Sequence, residues 1–134
     1  NLEEAAKYLG RPVSVMAPVV KGDGRGRGLG FPTANLDAGH LALPPEGVYA
    51  VRVEAEGQRW EGMANVGVCP SFGGPDAGVS LEVHLFDFEG DIYGQMLKVE
   101  FIAKVRSEKK FPSSDALVEQ IRRDETRIRK ILSR

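Results

Sequence analysis

Cysteine is nearly missing from this chain of 134 residues: Cys69 is the only one. That excludes an intrachain disulfide and any zinc site built from several cysteines, and it fits a reducing compartment such as the cytoplasm. Long apolar runs are missing too, with no stretch of about 18 residues that reads as a membrane span and no signal peptide. Neither sign of charge dominates, since 18 Lys and Arg face 19 Asp and Glu for a net charge of −1. A nucleic-acid binder of this size would usually be basic overall. Trp occurs once, with three Tyr and six Phe, several at positions that read as core. A surface for stacking single-stranded bases is therefore the weakest of the readings open to the chain. Histidine is limited to His40, in a loop where a solvent-exposed role is the ordinary one, and His84. An initial Met is also missing; the chain opens at Asn1, as expected of a piece cut from something longer.

What is present is glycine, concentrated in one stretch, Lys21-Gly-Asp-Gly-Arg-Gly-Arg-Gly-Leu-Gly-Phe-Pro-Thr-Ala-Asn35. Every second residue from Gly22 to Gly30 is glycine, interleaved with Asp23, Arg25, Arg27 and Leu29. A loop so poor in Cβ atoms can take positive φ and bring its backbone N–H groups against a ligand. Those groups form an anion-binding concavity, to which the basic side chains add charge, and phosphate suits it. The common phosphate motifs do not account for it. A Walker A loop needs Gly-Lys followed by Ser or Thr, and dinucleotide or protein-kinase loops need glycines at i, i+2 and i+5. On the glycines alone, a mobile basic hairpin tip fits equally well.

Phe31 to Asn35 adds chemistry. Pro32 fixes its own φ and drives Phe31 towards an extended conformation. Alternate residues of an extended segment share a face, so Thr33 and Asn35 project together. A hydroxyl and an amide carbonyl are hard oxygen ligands of the kind that Mg²⁺ accepts alongside water and phosphate. Taken by itself, Pro-Thr-Ala-Asn also reads as an ordinary turn leading into a strand.

Taken in order, Leu2 to Leu9 reads as a short amphipathic helix, ended by Gly10 and kept from resuming by Pro12. Val13 to Val20 is a strand, and Pro18 within it predicts an edge or a bulge. Val48 to Glu56 alternates, with Tyr49, Val51, Val53 and Ala55 on one face. Gly57-Gln58 is the predicted hairpin turn, leading into a strand from Arg59 to Val66. Val79 to Phe86 alternates again, with Leu81, Val83 and Leu85 on one face and Ser80, Glu82 and His84 on the other. In a last strand Leu97, Val99, Phe101, Ala103 and Val105 align. Short strands at hairpin spacing predict a small, mainly β fold: an antiparallel Greek-key-like β-barrel, closed or nearly so. After Pro112 the period becomes helical, with Ser113 or Ser114 as cap and Leu117, Val118, Ile121, Ile128, Ile131 and Leu132 packing on the barrel. Glu119, Arg122, Arg123, Arg127, Arg129 and Lys130 read as the solvated face of that C-terminal helix. The size suits one core, with no internal repeat.

Glu82 is the best candidate base outside the glycine stretch, with Ser80, His84 and Phe86 for company on its face. From pattern alone a solvent-facing strand glutamate is the plainer reading. Cys69 has no adjacent basic partner to make it a nucleophile.

Gly-Arg-Gly-Leu-Gly-Phe-Pro-Thr-Ala-Asn, residues 26–35, resembles the signature of the riboflavin kinase family. Leu-Glu-Val-His-Leu-Phe-Asp-Phe, residues 81–88, resembles that family's catalytic segment, and Tyr93-Gly94, Gly47-Val-Tyr-Ala50, Arg106, Lys110-Phe111 and Gln120-Ile121 fit as well. The likeness runs from Gly10 to the end; Asn65-Val-Gly-Val-Cys-Pro-Ser-Phe72 matches in outline, though the family usually has Thr where Ser71 stands and often Arg near Cys69. The resemblance implies a kinase that uses Mg²⁺ with ATP to convert riboflavin to FMN, with ADP as second product. It implies that Thr33 and Asn35 hold the metal and that Glu82 is the base. It also implies that Lys21, Gly22, Gly24, Gly26, Arg27, Gly28 and Gly30 cradle the phosphates. The isoalloxazine would lie between barrel and C-terminal helix, near Arg106. Residues 1–10 would be a linker helix after an adenylyltransferase domain of a bifunctional parent, and residues 11–134 the kinase domain. A flavin-binding module of the same fold without turnover is the alternative; retention of Thr33, Asn35 and Glu82 together speaks against it. Neither nucleic acid nor membrane is expected as a partner.

Overall fold

In a computed structural model, residues 2, 4, 13–20, 33–37, 43–68, 79–88, 92, 94–107 and 109–133 are described. Six strands, β1 (Val13–Val20), β2 (Ala34–Leu36), β3 (Gly47–Ala55), β4 (Gln58–Val68), β5 (Val79–Leu85) and β6 (Met96–Arg106), precede one helix, α1 (Ser114–Leu132). The strands close into a barrel in the order β1-β2-β5-β4-β3-β6, every neighbouring pair antiparallel. Within it β3, β4 and β5 run consecutively and β6 returns beside β3, which is the Greek-key order. Among the described strands, closure leaves no open sheet edge to template another chain.

Alternation decides the barrel's inside. Tyr49, Val51, Val53, Leu81, Val99 and Phe101 are each at most 1% exposed and form the centre of the inner core. Tyr49 and Phe101 meet edge to face at 5.4 Å. The Tyr49 hydroxyl, which an apolar core would leave unsatisfied, donates to the Pro45 carbonyl just outside β3. Burial pushes the Tyr49 phenol above its ordinary value, because the charged form would sit in that core.

A second, smaller core lies outside the barrel wall. Val48, Ala50, Met63, Phe86 and Val105 pack there against Ile128 and Leu132 of α1. Ser113 caps α1, its hydroxyl accepting from the Ala116 N–H at 3.2 Å, as its sequence position predicts. At the other end Arg52 donates to the Leu132 carbonyl at 3.1 Å, so a barrel side chain satisfies one of the helix's terminal acceptors.

Four expectations change. The hairpin turn sits at Glu56-Gly57, not Gly57-Gln58, because Ala55 pairs with Gln58 and both central residues have positive φ, 50° and 79°. That is a turn with glycine at its second central position, whose twist suits a tight hairpin. Pro18 neither kinks β1 nor makes a true edge. Its carbonyl accepts from the Asp37 N–H, and its missing N–H faces the same side, past the end of three-residue β2. The alternation of β6 breaks, since Val51 pairs with Phe101 but Ala50 with Ala103, and Tyr49 with Lys104 but Val48 with Arg106. These two bulges swing Ala103 and Val105 from the predicted inner face to the core under α1. The predicted solvated face of α1 is partly docked: Arg127 donates to the Val105 carbonyl at 3.0 Å, and Arg129 grips Asp87.

Leu2 and Glu4 are helical, and Leu2 packs on the inner core; the rest of the predicted N-terminal helix lies outside the described residues. So do His40, Cys69, Ser71 and the whole glycine stretch from Lys21 to Gly30.

Candidate active site

The polar outer face of the barrel is organised by register. Val20 of β1 stands opposite Asn35 of β2, Asn35 opposite Glu82 of β5, and Glu82 opposite Asn65 of β4. Asn65 in turn faces Val48 of β3, and Val48 faces Arg106 of β6. One level therefore crosses all six strands. Ala34, Leu36, Leu81, Val83, Ala64 and Val66 are buried in the inner core, so Asn35, Glu82 and Asn65 between them point outward. All three are half-buried. Directly opposed residues have Cβ atoms about 4.5–5.5 Å apart, so Asn35 and Asn65 flank the Glu82 carboxylate from both sides.

Thr33 lies just before β2, two residues from Asn35 and likewise half-buried. Val20, the last residue of β1, pairs with Asn35, so β1 ends at this level. The expected site residues Lys21, Gly22, Gly24, Gly26, Arg27, Gly28 and Gly30 lie outside the described residues. Among the described residues no cluster of three or more His, Cys, Asp or Glu side chains could hold a metal ion. Thr33 and Asn35 nevertheless offer the donors that suit a hard cation sharing phosphate oxygens and water.

Arg106 is drawn into a different arrangement. Its Nε donates to both carboxylate oxygens of Asp124, at 3.0 and 3.2 Å, and its Nη2 lies 2.9 Å from Oδ2. Gln120 adds a donor to Asp124 at 3.0 Å, and the ring of Phe111 lies 5.6 Å from the guanidinium carbon. Asp124 is only 2% exposed, and this fork of donors satisfies its buried oxygens. Arg106 thus ties β6 to α1 as well as standing at the site's level. A groove opens beside it, between the 109–112 segment and the first turns of α1, lined by Lys109, Lys110, Phe111, Ala116 and Gln120 among others.

The other flank of the site is braced by the same helix. His84, two residues beyond Glu82, has Nε2 3.9 Å from Glu125 and meets Phe86 at 5.5 Å. Arg129 lies 4.7 Å over the Phe86 ring and holds Asp87 with two hydrogen bonds, at 3.0 and 3.3 Å. Those bonds and the adjacent charge hold the Asp87 carboxyl below its ordinary value.

Of the predicted site residues, then, Asn35 and Glu82 come together, Thr33 precedes β2 two residues before Asn35, and Arg106 stands three strands on. Asn65 and Asp124 are functional candidates that the sequence reading did not single out. Asn65 could have been found from its place between two inner-face residues. Asp124 is an acid within the apolar stripe of α1, a pattern that demands a buried partner.

The chain matches the model of the riboflavin kinase (flavokinase) family over residues 9–132. It is 46% identical over 125 residues to the bifunctional riboflavin kinase/FMN adenylyltransferase of Haemophilus influenzae, covering 92% of this chain and 40% of that protein. The crystal structure of a macrolide-efflux protein from Streptococcus pneumoniae superposes with a TM-score of 0.87 at 40% identity, over 96% of this chain and 42% of that one. Riboflavin kinase from Trypanosoma brucei shares the fold, with a TM-score of 0.61 at 22% identity, over 90% and 80% of the two chains. The chain spans about 40% of the length of the curated relatives that it matches.

Proposed function

The chain belongs to the riboflavin kinase family, and from that premise we propose that it transfers the γ-phosphoryl group of ATP to the ribityl 5′-hydroxyl of riboflavin. The products are FMN and ADP. The observation that best supports this reading is the direct pairing of Asn35 with Glu82, which sets a phosphate-side amide beside a carboxylate. Phosphoryl transfer asks little covalent work of a protein; it asks for positioning and for neutralised charge.

Glu82 accepts the proton of the 5′-hydroxyl as that oxygen forms its bond to the γ-phosphorus. The bond from this phosphorus to the bridging oxygen breaks, and its electron pair leaves on ADP. The glycine stretch, with Lys21, Gly22, Gly24, Gly26, Arg27, Gly28 and Gly30, cradles the phosphates. Thr33 and Asn35 would hold Mg²⁺, which when bound supplies neutralising charge to the phosphate oxygens. The flavin ring lies on the α1 side, where the groove beside Arg106 and Phe111 gives an aromatic and cationic border. Retention of an outward carboxylate beside Thr33 and Asn35 favours turnover over a binding-only module, since binding alone needs no base.

Residues 1–10 are read as the linker that follows an adenylyltransferase domain, and residues 11–134 as the kinase domain. Among the described residues no helix is long and apolar enough to cross a membrane; the cytoplasm is the proposed location. Incubation with Mg-ATP and riboflavin, followed by chromatographic separation of the flavins, tests the reading. FMN with stoichiometric ADP is the expected result, and unchanged riboflavin would overturn it.

A further inference from the structure

Asn65 carries a feature that the proposed chemistry leaves unused. Its Oδ1 is buried, yet has no hydrogen-bond partner among the described residues. A buried carbonyl oxygen without a donor is costly, by about 1–3 kcal/mol in proteins generally, and such groups need an explanation. Here the place of the residue supplies one. Asn65 is the direct cross-strand partner of Glu82, on the flank opposite Asn35.

Resting on the kinase reading above, we propose that Asn65 positions the acceptor substrate, its Oδ1 accepting a hydrogen bond from a ribityl hydroxyl adjacent to the one that reacts. The chemistry of the atom selects among the ligands. The phosphates of ATP present only acceptor oxygens at neutral pH, and an amide carbonyl has nothing to offer them. A polyol chain presents donors at successive carbons. Adjacent strands are about 4.8 Å apart, so a chain that places one hydroxyl at Glu82 carries a neighbouring one to Asn65. Beyond Asn65 the level passes through Val48, which is buried under α1, before it reaches Arg106, so the open part of the level ends at Asn65. That open part reads in order as phosphate end, base, polyol. Asn65 is a positioning and specificity residue in this scheme, and the proton still goes to Glu82.

The test compares the wild-type chain with Asn65→Ala by steady-state kinetics, using riboflavin and a set of analogues each lacking one ribityl hydroxyl. Loss of one substrate hydrogen bond should raise the riboflavin KM about tenfold and leave the KM for ATP within about twofold. One analogue should lose as much on the wild-type enzyme as the substitution does, and should lose nothing further on N65A, since the two changes remove the same contact. The melting temperature of N65A should be equal or higher, because the substitution deletes an unsatisfied buried acceptor. An unchanged riboflavin KM, strictly additive losses with every analogue, or a lowered melting temperature would each overturn the proposal while leaving the kinase reading intact. Wild-type protein that makes no FMN would remove both.

Discussion

At the scale of single residues, the site depends on which side chains share a strand face and which stand opposite. Asn35 and Glu82 do both, through β2–β5 pairing. On the proposed reading Asn35→Ala removes an oxygen ligand from the phosphate side, and it should lower kcat/KM for Mg-ATP by about 10²-fold or more, as for other groups that stabilise charge in transfer. Flavin binding, followed by fluorescence, should change little; wild-type turnover by N35A at limiting Mg²⁺ would refute the assignment. Glu82→Gln keeps the shape and loses the proton acceptor. Its kcat should fall by about 10²- to 10⁴-fold, towards the low end if the transition state is loose, with the KM for ATP largely kept. A kcat profile near wild type at every pH would remove Glu82 from the role of base. Strand alternation gave Asn35 and Glu82 their outward faces in the sequence, whereas the roles proposed for them and for Thr33 come from the family resemblance. Asn65 was harder to see, because its importance lies in its neighbour across the sheet.

At the scale of elements, the helix α1 decides what one side of the site can be. It is held by a small apolar core and by a set of charged contacts that reach back to the barrel: Arg106 with Asp124, Arg129 with Asp87, and Arg127 with the Val105 carbonyl. Of these the Asp124 pair is the one out of water. Asp124→Ala leaves a largely buried guanidinium, itself 18% exposed, without its counter-charge. The chain should lose roughly 3 kcal/mol of stability, seen as a lower urea midpoint at unchanged slope. A midpoint within experimental error of wild type would show that water replaces the carboxylate at no cost. Periodicity predicted the helix and its cap, since both are local. It also put the charged residues on an exposed face, as Arg122, Arg123, Arg127 and Lys130 are, but it could not say that Arg127 and Arg129 reach a carbonyl and a carboxylate from elsewhere in the fold.

At the scale of the molecule, the six described strands form a single closed barrel. The curated relatives are named for a second activity, FMN adenylyltransferase, and this chain spans about 40% of their length. An FMN adenylyltransferase site would need its own nucleotide fold, of the doubly wound kind, and the described strands form an antiparallel barrel with no parallel pair. The purified chain, supplied with FMN and Mg-ATP, should therefore yield no FAD and no pyrophosphate above background. Sustained FAD formation would reveal a second active centre.

The sequence by itself determined the class of the fold, the inward faces of β3 and β5, and the capped helix. Each of these follows from spacing within one segment or from residue types at fixed offsets. Only the tertiary structure decided the closure order, the two bulges that turn Ala103 and Val105 towards α1, and the turn at Glu56-Gly57. It alone brought Asn65 beside Glu82 and buried Asp124 against Arg106. The physical reason is the same in every case: register between strands and the docking of a helix are set by contacts between segments distant in sequence. Periodicity within a segment cannot say which partner will stand opposite.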